Sequence, residues 1–275
     1  MGSAFSSASA MIQAMTTTGQ HIGIMKDARV GASAAVATVS GQMTSLWQYN
    51  GNPSDGAAPT TVAIPTSATA GSLHQSDAAA GSSLYLMSAS FVAQAAGTII
   101  LYDRLLHIGN LSGTVTTAQI VGGAITRYTG GTGNQIWVEI YTQIGTTGTT
   151  IQATYTNDLG VGGQLSQLVT IGGTGFREAQ RLLQLPLASG DTGVSSVQSV
   201  KLTGTTGTAG AFGVTLVHQL GTYPMGVADC ATVRGYSAGI PDFPLIQPAA
   251  CLAMAFLANT TTSPQIHGHL HMAQQ

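Results

Sequence analysis

Residues 98–220 contain three runs that decide the fold: TIILYDRLLHIGN (98–110), NQIWVEIYTQIGTTGTTIQATYTND (134–158) and VQSVKLTGTTGTAGAFGVTLVHQL (197–220). Each run is rich in Val, Ile, Thr, Tyr and Trp, and Gly-Thr punctuation separates its extended parts. Short strands alternating with turn residues in this way are typical of an antiparallel β-sandwich or jelly roll. The sequence therefore predicts an all-β fold, with an extended, partly helical N-terminal arm in front of it.

Two hairpins are predicted within this stretch. The tetrapeptide Gly-Thr-Thr-Gly occurs at 145–148 and at 204–207, and short Gly-containing connections between alternating runs are typical of hairpins. The strands expected to pair are Trp137–Gln143 with Thr149–Thr156, and Val197–Leu202 with Phe212–Val217. Further strands are predicted at Leu182–Leu187 and at Ala249–Ala258, the second apolar enough to be buried on both faces.

Charged residues are rare. They make up 7% of the chain and leave a net charge of −2, whereas about a quarter of the residues of an ordinary soluble domain are charged. Without excess positive charge, we expect no binding to nucleic acid. No run of about twenty apolar residues predicts a membrane span. A surface with so few charges suits a subunit whose faces are covered by other subunits.

The chain is expected to have three parts: an N-terminal arm with an irregular segment (1–83), a β-sandwich domain (84–258) and a C-terminal tail (259–275). Helical spacing of small and apolar residues predicts short helices at Ser9–Met15 and Ala28–Met43. The arm either becomes ordered against a neighbour or stays flexible.

The segment from 46 to 83 is predicted to be irregular, because prolines and turn dipeptides interrupt it throughout. Trp47 and Tyr49 are predicted to anchor this segment and to lie at a contact between subunits. Cys230 and Cys251 stand among apolar or small residues, which favours two free buried thiols over a disulfide.

No catalytic residues and no cofactor are expected. The sequence lacks a Gly-x-Ser-x-Gly elbow, and most of its ten acidic residues stand in turn sequences. The glycine-rich run 172–175 lacks the Lys-Ser/Thr of a phosphate-binding loop. Asp103 and Arg104 are adjacent, and we expect a satisfied ion pair at the end of a strand.

His267, His269 and His271 form His-x-His-x-His near the C-terminus. On a strand all three imidazoles point the same way, so they are candidate metal ligands, either within one chain or from three chains around an axis. The alternative is an exposed polar tail with incidental histidines.

The segments LYDRLLHIGNLSGTVTTAQ, EIYTQIGTTGTT and GGTGFREAQRLLQLPLASGDTGV resemble structural proteins of tailed bacteriophages over about residues 98–220. The resemblance implies a non-enzymatic virion subunit that decorates or cements the capsid as a symmetric oligomer, with a trimer expected. Its partners would be copies of itself and other virion proteins, the major capsid protein first, and its location the head more than the tail. Two other hypotheses remain open: a receptor- or glycan-binding module of a tail fibre or spike, and a hydrolase on a β scaffold.

Overall fold

The computed structural model describes Phe5 and residues 7–31, 37–235 and 243–275. At its centre, six strands close into a barrel in the order β11-β2-β16-β5-β13-β7. Strands are numbered in chain order, and the barrel strands are β2 (Met43–Ser45), β5 (Gly97–Leu111), β7 (Asn134–Thr142), β11 (Arg181–Leu185), β13 (Ala211–Met225) and β16 (Leu252–Ala258).

The barrel interior is packed with side chains from all six strands. One apolar cluster includes Met43, Ile100, Tyr102, Trp137, Leu182, Val217, Ala253 and Ala255. Because side chains alternate across a strand, the intervening residues of the same strands point outward into two further cores. The barrel strands are therefore buried on both faces, as predicted for the apolar run that forms β16.

A second sheet, here called the terminal sheet, covers one side of the barrel. Its order is β14-β4-β17-β1-β3, with β15 also paired to β4. Its inner face shares one hydrophobic core with the barrel strands β5, β13 and β16. The strands of the terminal sheet are β1 (Gln20–Gly31), β3 (Tyr49–Asn52), β4 (Leu84–Ala93), β14 (Thr232–Gly235), β15 (Leu245–Ile246) and β17 (Gln265–Gln274).

A third sheet, the lateral sheet, packs on the barrel through another core, to which β5, β7, β11 and β13 contribute. Its order is β10-β8-β12-β6, with β9 also paired to β8. Every pairing is antiparallel, and the predicted all-β, sandwich-like fold is confirmed. The strands of the lateral sheet are β6 (Gln119–Ile120), β8 (Thr149–Asn157), β9 (Gln164–Leu165), β10 (Val169–Ile171) and β12 (Val194–Leu202).

The two predicted hairpins do not form. β7 pairs with β11 and β13 in the barrel, while β8 pairs with β12, β9 and β10 in the lateral sheet. β12 and β13 are divided in the same way. Each Gly-Thr-Thr-Gly segment therefore carries the chain from one layer to another. The two segments do share a structural role, but the strands they connect lie in different sheets.

The two Gly-Thr-Thr-Gly segments pack against each other. The Gly145 N–H donates to the Thr206 hydroxyl at 3.0 Å, and the Thr147 N–H donates to the Thr206 carbonyl at 3.0 Å. Thr206 is completely buried, and its hydroxyl also donates to the Gly113 carbonyl at 3.0 Å. The contact joins both layer crossings at one corner.

The two ends of the described chain form the middle of the terminal sheet. β17 pairs with β1 on one side and β4 on the other, so residues 259–275 are not a separate tail. Alternation explains the difference, because Ile266, Leu270 and Met272 supply a buried face. The sequence signal for this strand is weak, because histidines and a glycine stand between its apolar residues.

The N-terminal region is also part of the fold. The predicted helix at Ser9–Met15 is present as α1 (Ala8–Thr17), with the Ser7 hydroxyl accepting from the Ala10 N–H. The helix predicted at Ala28–Met43 is absent from the described part of that range, whose residues 32–36 lie outside the description. Ala28 belongs to β1 and Met43 to β2, because β1 gains a partner strand on each side that a helix would forgo.

The segment from 53 to 83 follows the barrel without forming a strand of its own in any sheet. It is held by an Ala63–His107 bridge, by a Leu73–Leu252 bridge and by the Gln75 amide, which donates to the Ala250 carbonyl at 2.7 Å. The irregular path predicted for 46–83 is therefore found from residue 53 onward, bound to the same chain, whereas Tyr49–Asn52 form β3.

Replacing Gly145 by Ala is expected to destabilise the protein by about 3 kcal/mol, at the upper end of the usual cost of overpacking. A Cβ at this position would overlap the Thr206 carbonyl oxygen, a backbone atom that cannot move aside as the end of a side chain can. Gly148→Ala in the same tetrapeptide is the matched control, because a Cβ there has no neighbour within 4 Å. Urea unfolding measures both. Equal effects of the two substitutions would show that the corner contact is absent.

Candidate functional site

A buried polar network lies inside the barrel. The Arg104 Nη2 donates to Glu139 Oε2 at 2.6 Å and to the Tyr141 hydroxyl at 2.6 Å. The Tyr141 hydroxyl in turn donates to Glu139 Oε2 at 2.9 Å. Arg104 Nε donates to His107 Nδ1 at 2.9 Å. The guanidinium carbon also lies 4.5 Å from the Trp47 ring centre, within the range of a cation–π contact.

Within this network the Arg104 guanidinium stays charged, whereas the His107 imidazole is neutral. Burial opposes the charge on Arg104, but the adjacent Glu139 carboxylate raises the pKa of the guanidinium above its usual value. Burial, and then the charge of Arg104, lower the pKa of His107 to about 3. The imidazole is therefore neutral, and since Nδ1 accepts a hydrogen bond, its proton is on Nε2.

A second ion pair starts from the neighbouring residue. Asp103 accepts from Arg127 Nε at 2.8 Å and from Arg127 Nη2 at 3.0 Å. The same Nη2 donates to the Pro65 carbonyl at 3.0 Å, and the Cys251 N–H donates to Asp103 at 2.9 Å. Asp103 and Arg104 are thus each paired, but with different partners and in the middle of β5, not with each other at its end.

These two networks connect distant parts of the backbone and are closed to a substrate. Arg104 and Glu139 have no exposed surface, and Tyr141 is 2% exposed, so a substrate has no access to them. The first network joins β5 to β7 across the barrel interior, and the second joins β5 to the segment around Pro65. Breaking a buried pair by removing one partner typically costs about 3–5 kcal/mol. We assign both networks a structural role.

Trp47 and Tyr49 are covered by their own chain. Trp47 is 1% exposed, its indole N–H donates to the Ala57 carbonyl at 3.0 Å, and Tyr49 is fully buried. They anchor the segment, as predicted. The contact between subunits predicted for them does not fit this arrangement, because neither side chain has surface left for a neighbour.

The cysteines differ from expectation in one respect. Both are free, as predicted, and Cys251 is buried, but Cys230 is exposed. Burial raises the pKa of the Cys251 thiol to about 11.

The three candidate metal ligands lie on the outer face of β17. His269 and His271 approach His21 on the neighbouring β1, with ring centres 5.3 Å and 4.0 Å apart, whereas His267 is paired in register with Met25. No group of three or more His, Cys, Asp or Glu side chains in the described ranges is already arranged to hold a metal ion. The sequence reasoning missed His21, although Ile22 and Ile24 alternate around Gly23 as a strand requires.

An apolar patch lies at one edge of the lateral sheet, in the segment that follows β8. We call residues 159–168 the edge segment; it contains a turn, β9 and the connection to β10. Four of its side chains are exposed: Leu159 (82%), Val161 (50%), Leu165 (52%) and Leu168 (55%). Such grouping is unusual on the surface of a monomer and marks a candidate interaction surface.

A surface pocket of about 310 Å³ lies beside a stacked pair of rings. The Tyr128 and His218 rings are 3.8 Å apart and nearly parallel, and Gln219, Arg234 and Leu245 complete much of the wall. The His218 Nδ1 is 2.9 Å from the Asn134 Oδ1, which fixes the ring. Burial lowers the pKa of His218.

No protein-family model and no curated protein matches the sequence. Among solved structures, the chain aligns with VP2 of infectious bursal disease virus in a subviral particle, with 11% identity, 94% of this chain covered and a TM-score of 0.18. A structure of the Gt strain of that virus aligns with 11% identity, equal coverage and a TM-score of 0.12. The chain spans 61% of the length of both.

Both structures are of infectious bursal disease virus and not of a tailed phage. TM-scores this low carry no conclusion about fold or function. In the part of the chain that the structure describes, no helix is long and apolar enough to cross a membrane.

His107→Asn is expected to reduce the dependence of stability on pH. With its pKa lowered to about 3 in the folded chain, His107 takes up a proton in the unfolded chain as pH falls below about 6.5, so it lowers stability between these values. From pH 6.5 to pH 5 this loss is about 2 kcal/mol. Asn keeps an acceptor for Arg104 but does not titrate.

Urea unfolding of both proteins at pH 7 and pH 5 measures this difference. His74→Asn is the matched control, because that histidine lies on the surface. Parallel pH profiles for the wild type and His107→Asn would contradict the assignment of a neutral, buried His107.

Proposed function

We propose that this chain is a non-enzymatic structural subunit of a tailed-phage virion, which binds and stabilises the capsid shell as a decoration, cement or minor capsid protein. Its partners are copies of itself, in a symmetric oligomer such as a trimer, and the major capsid protein. The observation that carries this proposal is the edge segment, where four large apolar side chains within ten residues face solvent.

The distribution of charge supports association. The chain has 8 Lys and Arg and 10 Asp and Glu residues, and six of these are buried: Lys26, Asp103, Arg104, Arg127, Glu139 and Arg181. The surface is therefore even poorer in charge than the composition indicates. Mixed surface charges normally oppose association of like subunits, so their scarcity favours faces that are covered in the assembly.

The edge segment also offers backbone groups. β9 and β10 are short strands that pair with β8 on one side only. Unpaired N–H and C=O groups of an edge strand can pair with another chain. In this proposal, burial of the leucines and pairing at this edge stabilise the joint between subunits. The N-terminal segment is not the subunit contact in this proposal, because β1 is already paired with β17 and β3 of its own chain.

The double variant Leu165→Ser with Leu168→Ser is expected to shift the protein from an oligomer to a monomer in light scattering. Both side chains are more than half exposed, so the fold should survive, and circular dichroism checks this. Ile120→Ser is the matched control, because Ile120 is 69% exposed on β6, at the other edge of the same sheet. It should leave the oligomer intact.

Binding to the shell is measured by co-sedimentation with capsids of the phage concerned that lack the subunit. The wild type should sediment with them, and the double variant should bind at least tenfold more weakly. A wild type that is monomeric at all concentrations, or a double variant that assembles and sediments normally, would overturn the proposal.

The pocket beside Tyr128 and His218 favours a second candidate function, a receptor- or glycan-binding module of a tail fibre or spike. Sugar-binding sites combine an aromatic surface with a few polar groups, and Gln219 and Arg234 provide such groups. Glycan-array binding that is lost in Gln219→Ala would favour this function. Array binding should be absent if the capsid proposal holds.

A further inference from the structure

The outer face of the terminal sheet brings together histidines from the first and last strands. In the pairing of β1 with β17, His21 lies opposite His271, and Gly23 lies opposite His269. Opposed side chains of an antiparallel pair have Cβ atoms about 5 Å apart, and diagonal neighbours are within reach of long side chains. His21 can therefore contact both histidines of β17.

The distance between His21 and His269 suits a shared metal ion. Zinc–nitrogen bonds are about 2.0–2.1 Å long, so the centres of two imidazoles on one tetrahedral ion are about 5 Å apart. The His21 and His269 ring centres are 5.3 Å apart, with the planes inclined by 40°. The His21 and His271 rings are stacked at 4.0 Å with a 20° inclination, so their lone pairs do not converge.

Space for an ion is present beside His269. A Cβ built on Gly23 has no neighbour within 4 Å, so the position opposite His269 is open to solvent. His21 and His269 are themselves exposed, and their rings can adjust by ordinary rotamer changes. His271 is more enclosed, and its Nε2 is buried without a hydrogen-bond partner.

Among the described residues, the neighbouring strand β4 and helix α1 place no acidic side chain against this group of imidazoles. β4 places Ser88 opposite His271 and Ser90 opposite His269, and α1 has neither an acidic first turn nor a basic last turn.

We propose that His21 and His269 together bind one divalent transition-metal ion, of the class of Zn²⁺, Ni²⁺ and Cu²⁺, through one imidazole nitrogen each, with water at the remaining positions. His271 is a positioning residue that holds the His21 ring by stacking. The bound ion links β1 to β17 and so fastens the first strand of the chain to the last. His267, opposite Met25, takes no part.

The test is isothermal titration calorimetry of the full chain without an affinity tag, at pH 7.5, with Zn²⁺, Ni²⁺ and Cu²⁺ as probes. One ion per chain is expected, with Cu²⁺ bound most tightly. His21→Ala and His269→Ala should each weaken binding at least tenfold. His267→Ala is the matched control on the same face of the same strand, and it should change the affinity less than twofold.

The role of His271 is separated by two substitutions. His271→Phe keeps a ring to stack on His21 and should retain most of the affinity, whereas His271→Ala should weaken binding. The electron paramagnetic resonance spectrum of the Cu²⁺-loaded wild type should show two nitrogen ligands, and that of His271→Phe the same two. A loss of one nitrogen in His271→Phe would overturn the assignment of His271 as a positioning residue.

The metal should also raise the midpoint of thermal unfolding by about 4 °C, the shift that about 1–2 kcal/mol gives in a chain of this size, and a chelator should reverse the increase. Absence of binding would overturn the proposal. Binding that survives both alanine substitutions, or one ion for every three chains, would do so as well. None of these results depends on the proposed virion role.

Discussion

The ion pair between Arg104 and Glu139 is the constraint on which the rest of the fold depends. Arg104 Nη2 is 2.6 Å from Glu139 Oε2. Both side chains lie inside the closed barrel and have no exposed surface. Removing such charges from water is costly, and the cost is offset only if partners meet in one geometry. The Tyr141 hydroxyl, His107 and the Trp47 ring add further contacts to Arg104 in that geometry. Strand register and the path of the segment after Trp47 are therefore coupled. Any other register leaves a buried charge in the barrel without its partner.

Local sequence patterns predicted the strands themselves. β7, β11, β16 and the α1 helix lie where alternation or helical spacing indicates, because these signals are local. Pairing was not predictable in the same way. A Gly-Thr-Thr-Gly turn between two strands looks the same whether the strands pair with each other or separate into two layers. What decides between these is burial on both faces of β7 and β13, and burial is set by residues distant in sequence.

The site residues show the same division. His-x-His-x-His correctly indicated side chains on one face of a strand, but the neighbour of that strand comes from the other end of the chain. His21 could have been found from Ile22, Ile24 and Ala28, which alternate with exposed positions. The helix predicted from Ala28 onward hid this pattern. Trp47 was misplaced for a related reason: large aromatic residues stabilise subunit contacts and barrel interiors through the same burial, and only a cation such as Arg104 above the ring distinguishes the second.

Charge links the interior of this protein to its surface. An ordinary domain keeps its few buried charges in pairs and surrounds itself with many exposed ones. Here the buried pairs use four of the scarce charged residues, Asp103, Arg104, Arg127 and Glu139, and the outer face of the lateral sheet is mainly Thr, Ser and Gln with one lysine, Lys201. Electrostatic repulsion between copies is then weak, and the exposed leucines of the edge segment meet little that opposes their burial. The same barrel that uses charge to fix its register thereby leaves a surface suited to association.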